Sequence, residues 1–381
     1  MRFEIVERLN KIEPARWNRL SDGRNPFLLH SFLSALETNH CLEEYGWYPQ
    51  HILAYDGEEL AAAMPLYIKD NSYGELVFDW AWADAYHRAG LPYYPKLVCA
   101  IPYTPATGPR LLVAPDKDYN VYANALLAHS ETLAEQNNMS SLHWLFTDAR
   151  DTQSLRDRGY AMRLGCQFHW HNDGYQSFDH YLDAFTAQKR KQVKRERRRV
   201  QEQGIVLEVR HGDEMTDALW QIYHDFYCST FDRKSGMATL SLDFFKELGA
   251  TMPRNLVLVF ARHGADYIAS AFNLRGEDTL YGRHWGCRAE YHSLHFEACY
   301  YQGLDYCINN GLRSFEPGAQ GEHKISRGFL PTATWSAHWI AHGQFRDAIV
   351  QYTQREQVGM QHYIESLMEH SPFKSAAATH D

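Results

Sequence analysis

Long apolar stretches are missing from this chain of 381 residues. Nowhere do eighteen apolar residues follow one another, which is about the length needed to cross a bilayer. The N-terminal sequence MRFEIVERLNKIE also lacks the apolar segment of a secretory signal. These absences predict a soluble, cytoplasmic protein without membrane insertion.

Cysteine patterns of the kind that bind metal are missing too. The seven cysteines are scattered along the chain, and no two of them form a CxxC pair. An odd number without paired spacing favours reduced thiols over a disulfide framework or a zinc site. His338 and His342 are four residues apart, but no third ligand accompanies them, so no metal site is expected.

Several familiar catalytic motifs are absent as well. The chain has no GxSxG elbow, no HExxH, no Walker A sequence and no GxGxxG. The loop GAQGEHK holds glycines and a lysine, yet its spacing is not that of a phosphate-binding P-loop. A serine hydrolase, a zinc peptidase and a P-loop NTPase are therefore disfavoured.

What the chain does have is apolar content and local positive charge. Its length and its 45% hydrophobic residues are sufficient for two domains with cores of their own. The net charge of −9 argues against nonspecific DNA binding, but KRKQVKRERRR (189–199) holds eight basic residues in eleven. We predict a helix over 187–203 that meets a polyanion such as RNA, a nucleotide diphosphate or a phosphorylated cell-wall precursor. The alternative is a solvated helix face. The candidate phosphate-binding residues are Lys189, Arg190, Lys191, Lys194, Arg195 and Arg198.

The two halves of the sequence resemble each other in their order of elements. Residues 51–60 and 256–268 each predict a hairpin of strand, glycine turn and strand. In both halves a longer strand (Leu60–Ile68 and Ile268–Leu274), a polar turn and an aromatic strand follow, the last at Leu76–Trp82 and at Thr279–Trp285. This pattern predicts a duplicated α+β domain. An amphipathic helix is predicted near 120–137, at the end of the first half. The predicted boundaries are 1–165, 166–345 and a closing helix with a tail over 346–381.

Polar side chains gather after two predicted strands of the second half. One strand ends in Arg283, His284 and Trp285, and the short strand 313–315 leads into the loop Glu316–Arg327, which is rich in glycine and charge. Converging titratable groups after strands are typical of a ligand site. We therefore expect both segments to face one pocket, with DWAW (79–82) near its rim.

The first half offers a second candidate region in DWAWADAY (79–86). Alternating acidic and aromatic residues at a strand end can stack on and hydrogen-bond a sugar or a peptide. The alternative is a strand with its tryptophans in the core. The candidate substrate-binding residues here are Asp79, Trp80, Trp82, Asp84 and Lys96.

Several of these stretches carry a family resemblance. LHFEACYYQGLDYCINNGL (294–312) and FEPGAQGEHKISRGFLPTATWSAHW (315–339) resemble the FemAB-like family of predicted N-acyltransferases, as do 74–97 and 189–205. The resemblance implies two tandem GNAT-like (acyl-CoA N-acyltransferase) domains of α+β class, with mainly antiparallel sheets flanked by helices. It also implies transfer of an acyl group to the amine of a small peptide or an amino-acid-like substrate.

The acyl donor is left open by the sequence. The Arg/Gln-x-x-Gly-x-Gly/Ala loop that holds the coenzyme A pyrophosphate in typical GNAT enzymes is absent, since the corresponding turn reads GCRAEYHSLHF (286–296). In relatives of the FemABX type the donor is an aminoacyl-tRNA, and KRKQVKRERRR resembles their basic helix. Aminoacyl-tRNA and acyl-CoA thus stand as alternative donors, beside a non-catalytic protein that recognises peptides or cell-wall fragments.

Acyl transfer to an amine sets the roles of the candidate site residues. A base must take a proton from the amine, and donors must stabilise the oxyanion. We assign the base to His323 or His284, and positioning of the amine to Glu316. Lys324 or Arg327 would hold a carboxylate or phosphate. The remaining predicted substrate contacts are Arg283, Trp285 and Glu322.

Overall fold

The computed structural model describes residues 1–21, 23–233, 236–319 and 321–374. Gln320 of the predicted site loop and residues 375–381 of the predicted tail lie outside these ranges. The described chain separates into two compact units. Unit 1 comprises Met1–Cys166, Thr239–Phe244 and Ala333–His362, and unit 2 comprises Gln167–Ala238, Phe245–Thr332 and the chain from Tyr363 onward.

This grouping differs from the predicted division into 1–165, 166–345 and 346–381. The first break lies where it was predicted, but the chain returns to unit 1 for Ala333–His362. The reason is strand pairing: residues 335–340 pair antiparallel with residues 141–147 of unit 1. The predicted division assigned each domain one continuous stretch of sequence, so it could not include a strand near residue 335 in the sheet of unit 1.

The strands are described in chain order. They are β1 (Arg2–Val6), β2 (Trp47–Pro49), β3 (His51–Asp56), β4 (Glu59–Met64), β5 (Leu66–Lys69), β6 (Lys96–Cys99), β7 (Leu112–Val113), β8 (Ser141–Thr147), β9 (Ala161–His171), β10 (Ile205–Arg210), β11 (Leu256–His263), β12 (Asp266–Arg275), β13 (Thr279–Cys287), β14 (Ser314–Glu316) and β15 (Leu330–Ile340).

The helices follow the same order. They are α1 (Pro14–Asn18), α2 (His30–Thr38), α3 (Trp80–Arg88), α4 (Tyr119–Gln136), α5 (Ala149–Asp157), α6 (Phe178–Asp183), α7 (Ala187–Glu202), α8 (Asp217–Arg233), α9 (Leu242–Thr251), α10 (Leu294–Phe296), α11 (Gln302–Asn309) and α12 (Gly343–Met368). A π turn (Glu297–Tyr301) joins α10 to α11, and a 3-10 turn spans Glu322–Arg327.

Unit 1 is built on two sheets with helix α4 packed against them. The strand orders are β1-β3-β4-β7 and β15-β8-β6-β5-β2, and β6 with β8 is a parallel pair. Helix α4 begins after Asp118, whose side chain accepts a hydrogen bond from the Val121 amide. Its buried face, with Leu126 and Leu127, shares a core with Trp144 of β8. Burial of large apolar side chains of this kind is the main stabilising contribution to the unit.

Unit 2 is a sheet in the order β10-β11-β12-β13-β14, continued by the last residues of β9. All of these pairs are antiparallel except β13 with β14, which are parallel. A parallel pair needs a crossover, and the helical segment from α10 to α11 provides it. Its Leu304 packs with Trp170 and Phe315 in the core of the unit. The mainly antiparallel α+β pattern agrees with the prediction.

The predicted aromatic strand of the first half is wrong. Residues Leu76–Trp82 form no strand, and Asp79 instead precedes helix α3. Trp82 and Tyr86, four residues apart, are both buried, which is the spacing of one helix face. The alternation of Trp and Ala at 80–83 imitated a strand period over too few residues. The matching strand of the second half is present as β13.

Other predicted elements are confirmed with small shifts. The basic helix is α7, the amphipathic helix predicted near 120–137 is α4, and the closing helix is α12. The strand predicted over Leu60–Ile68 is divided at Pro65, which has no amide hydrogen for a sheet ladder. Among the described residues, no helix combines the length and apolarity that a bilayer crossing requires.

Candidate active site

The candidate active site is a cavity between two strands that part from each other. Strands β13 and β14 pair at Thr279–Ser314, Leu280–Phe315 and Tyr281–Glu316. Beyond these pairs β13 continues to Cys287, whereas the chain after Glu316 turns away through Pro317 and Gly318. The space between them is a cavity of about 580 Å³, which we call the central cavity. Its described lining residues all belong to unit 2.

The first wall of the cavity is formed by strand β13, which contains a β-bulge. Phe272 pairs with His284 and Asn273 with Gly282, so Arg283 is an extra residue in β13. A bulge bends its strand and changes the direction of a side chain, and bulges are frequent beside active sites. Arg283, His284 and Trp285 all line the central cavity, as the sequence predicted.

Burial shifts the pKa values of two residues in this wall, Arg283 and His284. Burial lowers the pKa of Arg283 to about 10 and, together with the Arg283 cation, lowers the pKa of His284 well below its ordinary value. The His284 ring lies edge-on to Tyr227, with 4.9 Å between ring centroids. His284 keeps some access to solvent through the cavity, yet its imidazole is neutral at pH 7.

The second wall comes from the π turn and the loop after β14. His323 and Lys324 line the cavity, and the His323 Nε2 atom lies 2.9 Å from the Tyr300 hydroxyl. Tyr300 and Cys299 project from the π turn into the same cavity. Such turns insert one residue into a helix and are frequent at functional sites.

Lys324 is a buried cation without a carboxylate among its contacts in the described chain. Its side chain is almost fully buried, and its ammonium donates to the Gly318 carbonyl at 2.6 Å. Burial lowers the pKa of Lys324 to about 8. Burial also lowers the pKa of His323, with Arg327 and Lys324 adding to the effect. The cavity therefore combines a neutral imidazole with an amine that changes charge near neutral pH.

Glycines fix the loop that carries these two residues. Gly321 and Gly328 have φ angles of 113° and 87° and bracket the turn Glu322–Arg327. These angles are strained for other residues. At Gly328 a Cβ atom would also collide with the Tyr181 hydroxyl. The glycines noted in the sequence thus shape the turn.

Three predicted site residues have other neighbours than expected. Glu316 lies beside His169, with 3.9 Å between its Oε2 atom and Nε2, and is not among the cavity-lining residues, whereas His323 contacts Tyr300. Glu322 accepts a hydrogen bond from the Tyr363 hydroxyl at 2.6 Å. The prediction that Glu316 acts with His323 stays a prediction.

Arg327, a predicted ligand of a substrate carboxylate or phosphate, has a partner within the protein. Its guanidinium is buried and donates to the Glu196 carboxylate at 2.8 and 3.0 Å. Its Nη1 and Nη2 atoms donate to other parts of the protein, whereas its buried Nε atom has no hydrogen-bond partner in the described chain. These contacts hold the turn Glu322–Arg327 in place, and a role of Arg327 as a substrate ligand stays a prediction.

The candidates of unit 1 divide into buried and exposed residues. Lys96 is fully buried and contacts Asp79, Glu75 and Ser72, the last two at 2.9 Å. Trp82 is buried and packs edge-on against His338. The side chains of Asp79, Trp82 and Lys96 are interior, as the core alternative predicted for Trp82, although Trp82 lies on a helix and not on a strand. A role of Asp79 or Lys96 in substrate binding stays a prediction.

Trp80 and Asp84 are the exposed members of that group. The Trp80 ring packs against Tyr73, and Asp84 pairs with Arg88 of the same helix at 2.9 Å. Both remain candidates for substrate contact. Whether DWAW lies near the rim of the central cavity stays a prediction.

Helix α7 has an outer face rich in positive charge. Arg190 and Lys194 pair with Asp183 and Asp179, and Arg198 pairs with Glu202 of the helix. Lys189, Lys191 and Arg195 make no ion pair within the described ranges, and the last two are exposed. Val193 and Val200 are buried on the opposite face, as expected for an amphipathic surface helix.

A second cavity of about 710 Å³ adjoins the central one. The two share Thr230, Trp285 and His295 as lining residues, and the second also includes Arg233 and His292. The His292 ring is linked to α7, because its Nε2 atom lies 3.0 Å from the Arg199 guanidinium. Basic groups thus surround the turn that follows β13.

Comparison with known proteins gives the family. The model of the FemAB-like family, described as peptidoglycan biosynthesis/recognition, matches residues 8–375. The chain belongs to the FemAB-like family. The search of curated protein sequences gives no significant match.

Solved structures share the fold of this FemAB-like chain at low sequence identity. FemX matches at 12% identity and a TM-score of 0.55, over 92% of this chain and 100% of its own. The C-terminal domain of a putative lysylphosphatidylglycerol synthetase from Agrobacterium fabrum matches at 9% and 0.54, over 92% and 96%. L-PGS from Bacillus licheniformis matches at 11% and 0.51, over 88% and 98%. The predicted α+β class with mainly antiparallel sheets flanked by helices is confirmed, and the chain shares the fold of FemX.

One residue of the site, Tyr300, was not predicted from the sequence. Tyr300 was not singled out, because the YY pair at 300–301 looks like the buried face of an ordinary helix. In the π turn the Tyr300 hydroxyl contacts His323, whereas the Tyr301 hydroxyl donates to Glu196. The single acidic residue inside the basic run, Glu196, is a sequence feature that could have indicated a buried ion pair on the inner face of this helix.

Proposed function

We propose that this FemAB-like protein is an N-acyltransferase that moves an aminoacyl or acyl group onto the amine of a peptide or amino-acid-like substrate. The observation that carries the proposal is the central cavity between β13 and β14. There a bulged strand, two histidines of lowered pKa and the buried Lys324 face one space. The proposed context is the assembly of peptidoglycan precursors.

The acceptor amine must lose a proton for the product amide to form. His323 is suited to accept it, because a lowered pKa leaves its imidazole neutral at pH 7. The Tyr300 hydroxyl, 2.9 Å from Nε2, holds the ring in place and offers a route for the proton to the leaving group. His284 is the second candidate base on the facing wall.

The reaction itself balances without a covalent enzyme intermediate. The amine nitrogen bonds to the acyl carbon, and the carbonyl oxygen becomes an oxyanion. The Lys324 ammonium, already held by the Gly318 carbonyl, is the proposed donor to that oxyanion. The bond from the acyl carbon to the donor oxygen, or to sulfur in a thioester, then breaks, and the leaving group takes the proton.

We propose aminoacyl-tRNA as the donor because of the charge around the cavities. The outer face of α7 carries cations without acidic partners in the described chain, and Arg233 and His292 line the adjoining cavity. Clustered cations of this kind suit a chain of phosphates. The same cavity would accept the pantetheine and phosphates of acyl-CoA, which makes acyl-CoA the donor to test against.

A transfer assay tests the proposal. Purified protein is mixed with tRNA carrying radiolabelled amino acids, or with labelled acetyl-CoA, together with peptide acceptors of the cell-wall type. Transfer of label into an acid-stable product is expected, and His323→Ala should lower it about 10²–10⁴-fold. His342→Ala, in unit 1, is the matched control.

Three outcomes separate the alternatives. Labelled product from charged tRNA supports the proposal, and product from acetyl-CoA alone overturns the donor assignment. Binding of a peptide without product from either donor points to recognition without catalysis. Glu316→Gln tests the predicted amine contact in the same assay, where unchanged turnover would remove Glu316 from the site.

A further inference from the structure

Helix α7 has an inner face that differs from its charged outer face. Glu196 is 7% exposed and lies between the buried residues Val193 and Val200. It is an acidic residue within a strongly basic run, and it points away from the solvent that surrounds the run. A buried carboxylate requires partners, and those partners reveal what the helix is attached to.

Both oxygens of Glu196 are occupied. The Oε1 atom accepts hydrogen bonds from Arg327 at 2.8 Å and from Gln192 at 3.0 Å. The Oε2 atom accepts from Arg327 at 3.0 Å and from the Tyr301 hydroxyl. One carboxylate therefore joins helix α7 to the turn Glu322–Arg327 and to the π turn.

The contact with Arg327 continues to the central cavity. The Arg327 Nη1 atom donates to the His323 carbonyl at 2.6 Å, and its guanidinium stacks 3.4 Å from the centre of the Phe296 ring. His323 and Lys324 line the cavity on the same short turn. Glu196 thus holds the Arg327 guanidinium, and Arg327 in turn holds the backbone of the turn that carries His323 and Lys324.

The contact with Tyr301 reaches the other part of the same wall. Tyr301 and Glu297 close the two ends of the π turn, and Tyr300 faces the cavity between them. The neighbouring residue of the helix, Arg197, donates to Glu297 at 3.0 Å and to Asp305 at 2.7 Å. Two consecutive residues of α7 therefore hold both segments that carry the Tyr300–His323 contact.

We infer that Glu196 is a positioning residue that connects the outer face of helix α7 to the arrangement of His323, Lys324 and Tyr300 in the central cavity. A polyanion bound to the outer face and the order of the cavity wall are then coupled in both directions. The meaning of this coupling for catalysis rests on the proposed function. The geometric part does not, because it concerns only the protection of the cavity wall.

Amine labelling measures that protection directly. Lys324 is almost fully buried and should react slowly with N-hydroxysuccinimidyl acetate, whereas Lys11 is exposed and serves as the internal standard. In Glu196→Ala we expect the labelling of Lys324, followed by mass spectrometry, to rise about tenfold relative to Lys11 as the turn opens locally. Lys191→Gln, on the outer face, is the control and should leave Lys324 protected.

A second variant covers the case in which Glu196→Ala fails to fold. The double variant Glu196→Met with Arg327→Met removes both charges together, which is often neutral for stability. It should still lose the protection of Lys324, because the directional contacts to Tyr301 and to the His323 carbonyl are gone. Wild-type protection of Lys324 in either folded variant overturns the inference.

An RNA hairpin ending in CCA tests the coupling. Bound to the wild-type protein, it should slow the labelling of Lys324 further, and the double variant should lose this response while RNA still binds, as followed by fluorescence anisotropy. An unchanged response in the double variant contradicts the coupling. A wild-type protein that binds no RNA contradicts the proposed donor, and the protection of Lys324 in the variants still decides the role of Glu196.

Discussion

Lys96 in unit 1 and Lys324 in unit 2 are both buried, and the two side chains differ in their partners. Lys96 of unit 1 contacts the carboxylates of Glu75 and Asp79. Burial alone would lower the pKa of Lys96, but these two carboxylates raise it above its ordinary value. Lys324 of unit 2 contacts the carbonyl of Gly318, and burial lowers its pKa to about 8.

The comparison shows that the partner decides what a buried lysine can do. Paired with carboxylates, Lys96 keeps its proton throughout the physiological range, and it closes a network that includes the Tyr93 hydroxyl on Asp79 at 2.6 Å. Held by a neutral carbonyl beside a cavity, Lys324 can exchange its proton near neutral pH. Burial alone would not have distinguished a structural residue from a functional one.

The largest expected effect comes from breaking the network of unit 1. Lys96→Met would leave Glu75 and Asp79 buried without their cation, and breaking a buried pair in this way costs about 3–5 kcal/mol of unfolding free energy. Urea denaturation measures the loss. The triple variant Lys96→Met, Glu75→Gln and Asp79→Asn should regain much of it, and a fully stable Lys96→Met would show that the network is not needed for folding.

The matching change in unit 2 should affect activity in place of stability. Lys324→Gln removes the proposed oxyanion donor, and transfer should fall about 10²–10³-fold. The thermal midpoint at neutral pH should not fall, because only the Gly318 carbonyl loses a partner and the cost of burying the Lys324 cation is removed. The transfer assay with Lys11→Gln as control checks this. Wild-type turnover in Lys324→Gln would remove the difference in role between the two lysines.

The pH dependence of stability sharpens the comparison further. The pKa of Lys324 is about 8 in the folded protein and near its ordinary 10.5 in the unfolded chain. Between these values only the unfolded chain binds the proton, so stability should rise with pH by at most about 1.4 kcal/mol per unit. Urea denaturation of wild type and Lys324→Gln at pH 8, 9 and 10 isolates the contribution of Lys324 to the unfolding free energy. A constant difference between them would contradict a lowered pKa.

The smallest effect on stability is expected for the cations on the outer face of helix α7, which differ from Lys96 and Lys324 in being exposed or partly exposed. Replacing Lys189, Lys191 and Arg195 with Gln should change the unfolding free energy by no more than about 0.5 kcal/mol. The affinity for the RNA hairpin should nevertheless fall, and its dependence on salt should become weaker. Anisotropy titrations at several salt concentrations measure this. An unchanged affinity would support the alternative that the outer face of α7 is a solvated surface without a polyanionic ligand.

Local patterns allowed much of the fold to be predicted from the sequence. The charge run gave α7, and the hairpin signals gave β11, β12 and β13, since all of these depend on residues close in the chain. Residues Arg283, His284, Trp285, His323 and Lys324 were predicted to face one space because strand ends at one edge of a sheet lie close together.

The remaining features depend on contacts between distant residues. Arg327 looked like a ligand because its partner Glu196 is more than a hundred positions away in the sequence. Trp82 was predicted to lie on a strand because the local alternation of Trp and Ala resembles a strand. The helical spacing becomes visible only when Trp82 is compared with Tyr86, four residues later. The return of residues 335–340 to the sheet of unit 1 has no local signal at all.

The π turn makes the length of one short segment critical. A helix turns by about 100° per residue, and the extra residue between Glu297 and Tyr301 rotates everything after it by that angle relative to what precedes it. A deletion of Ala298 would restore a regular helix without altering the composition of the site. Side chains before and after the deletion could then no longer face the cavity and Glu196 at the same time. Insertions and deletions in homologous chains should therefore avoid this turn, even where its individual residues vary.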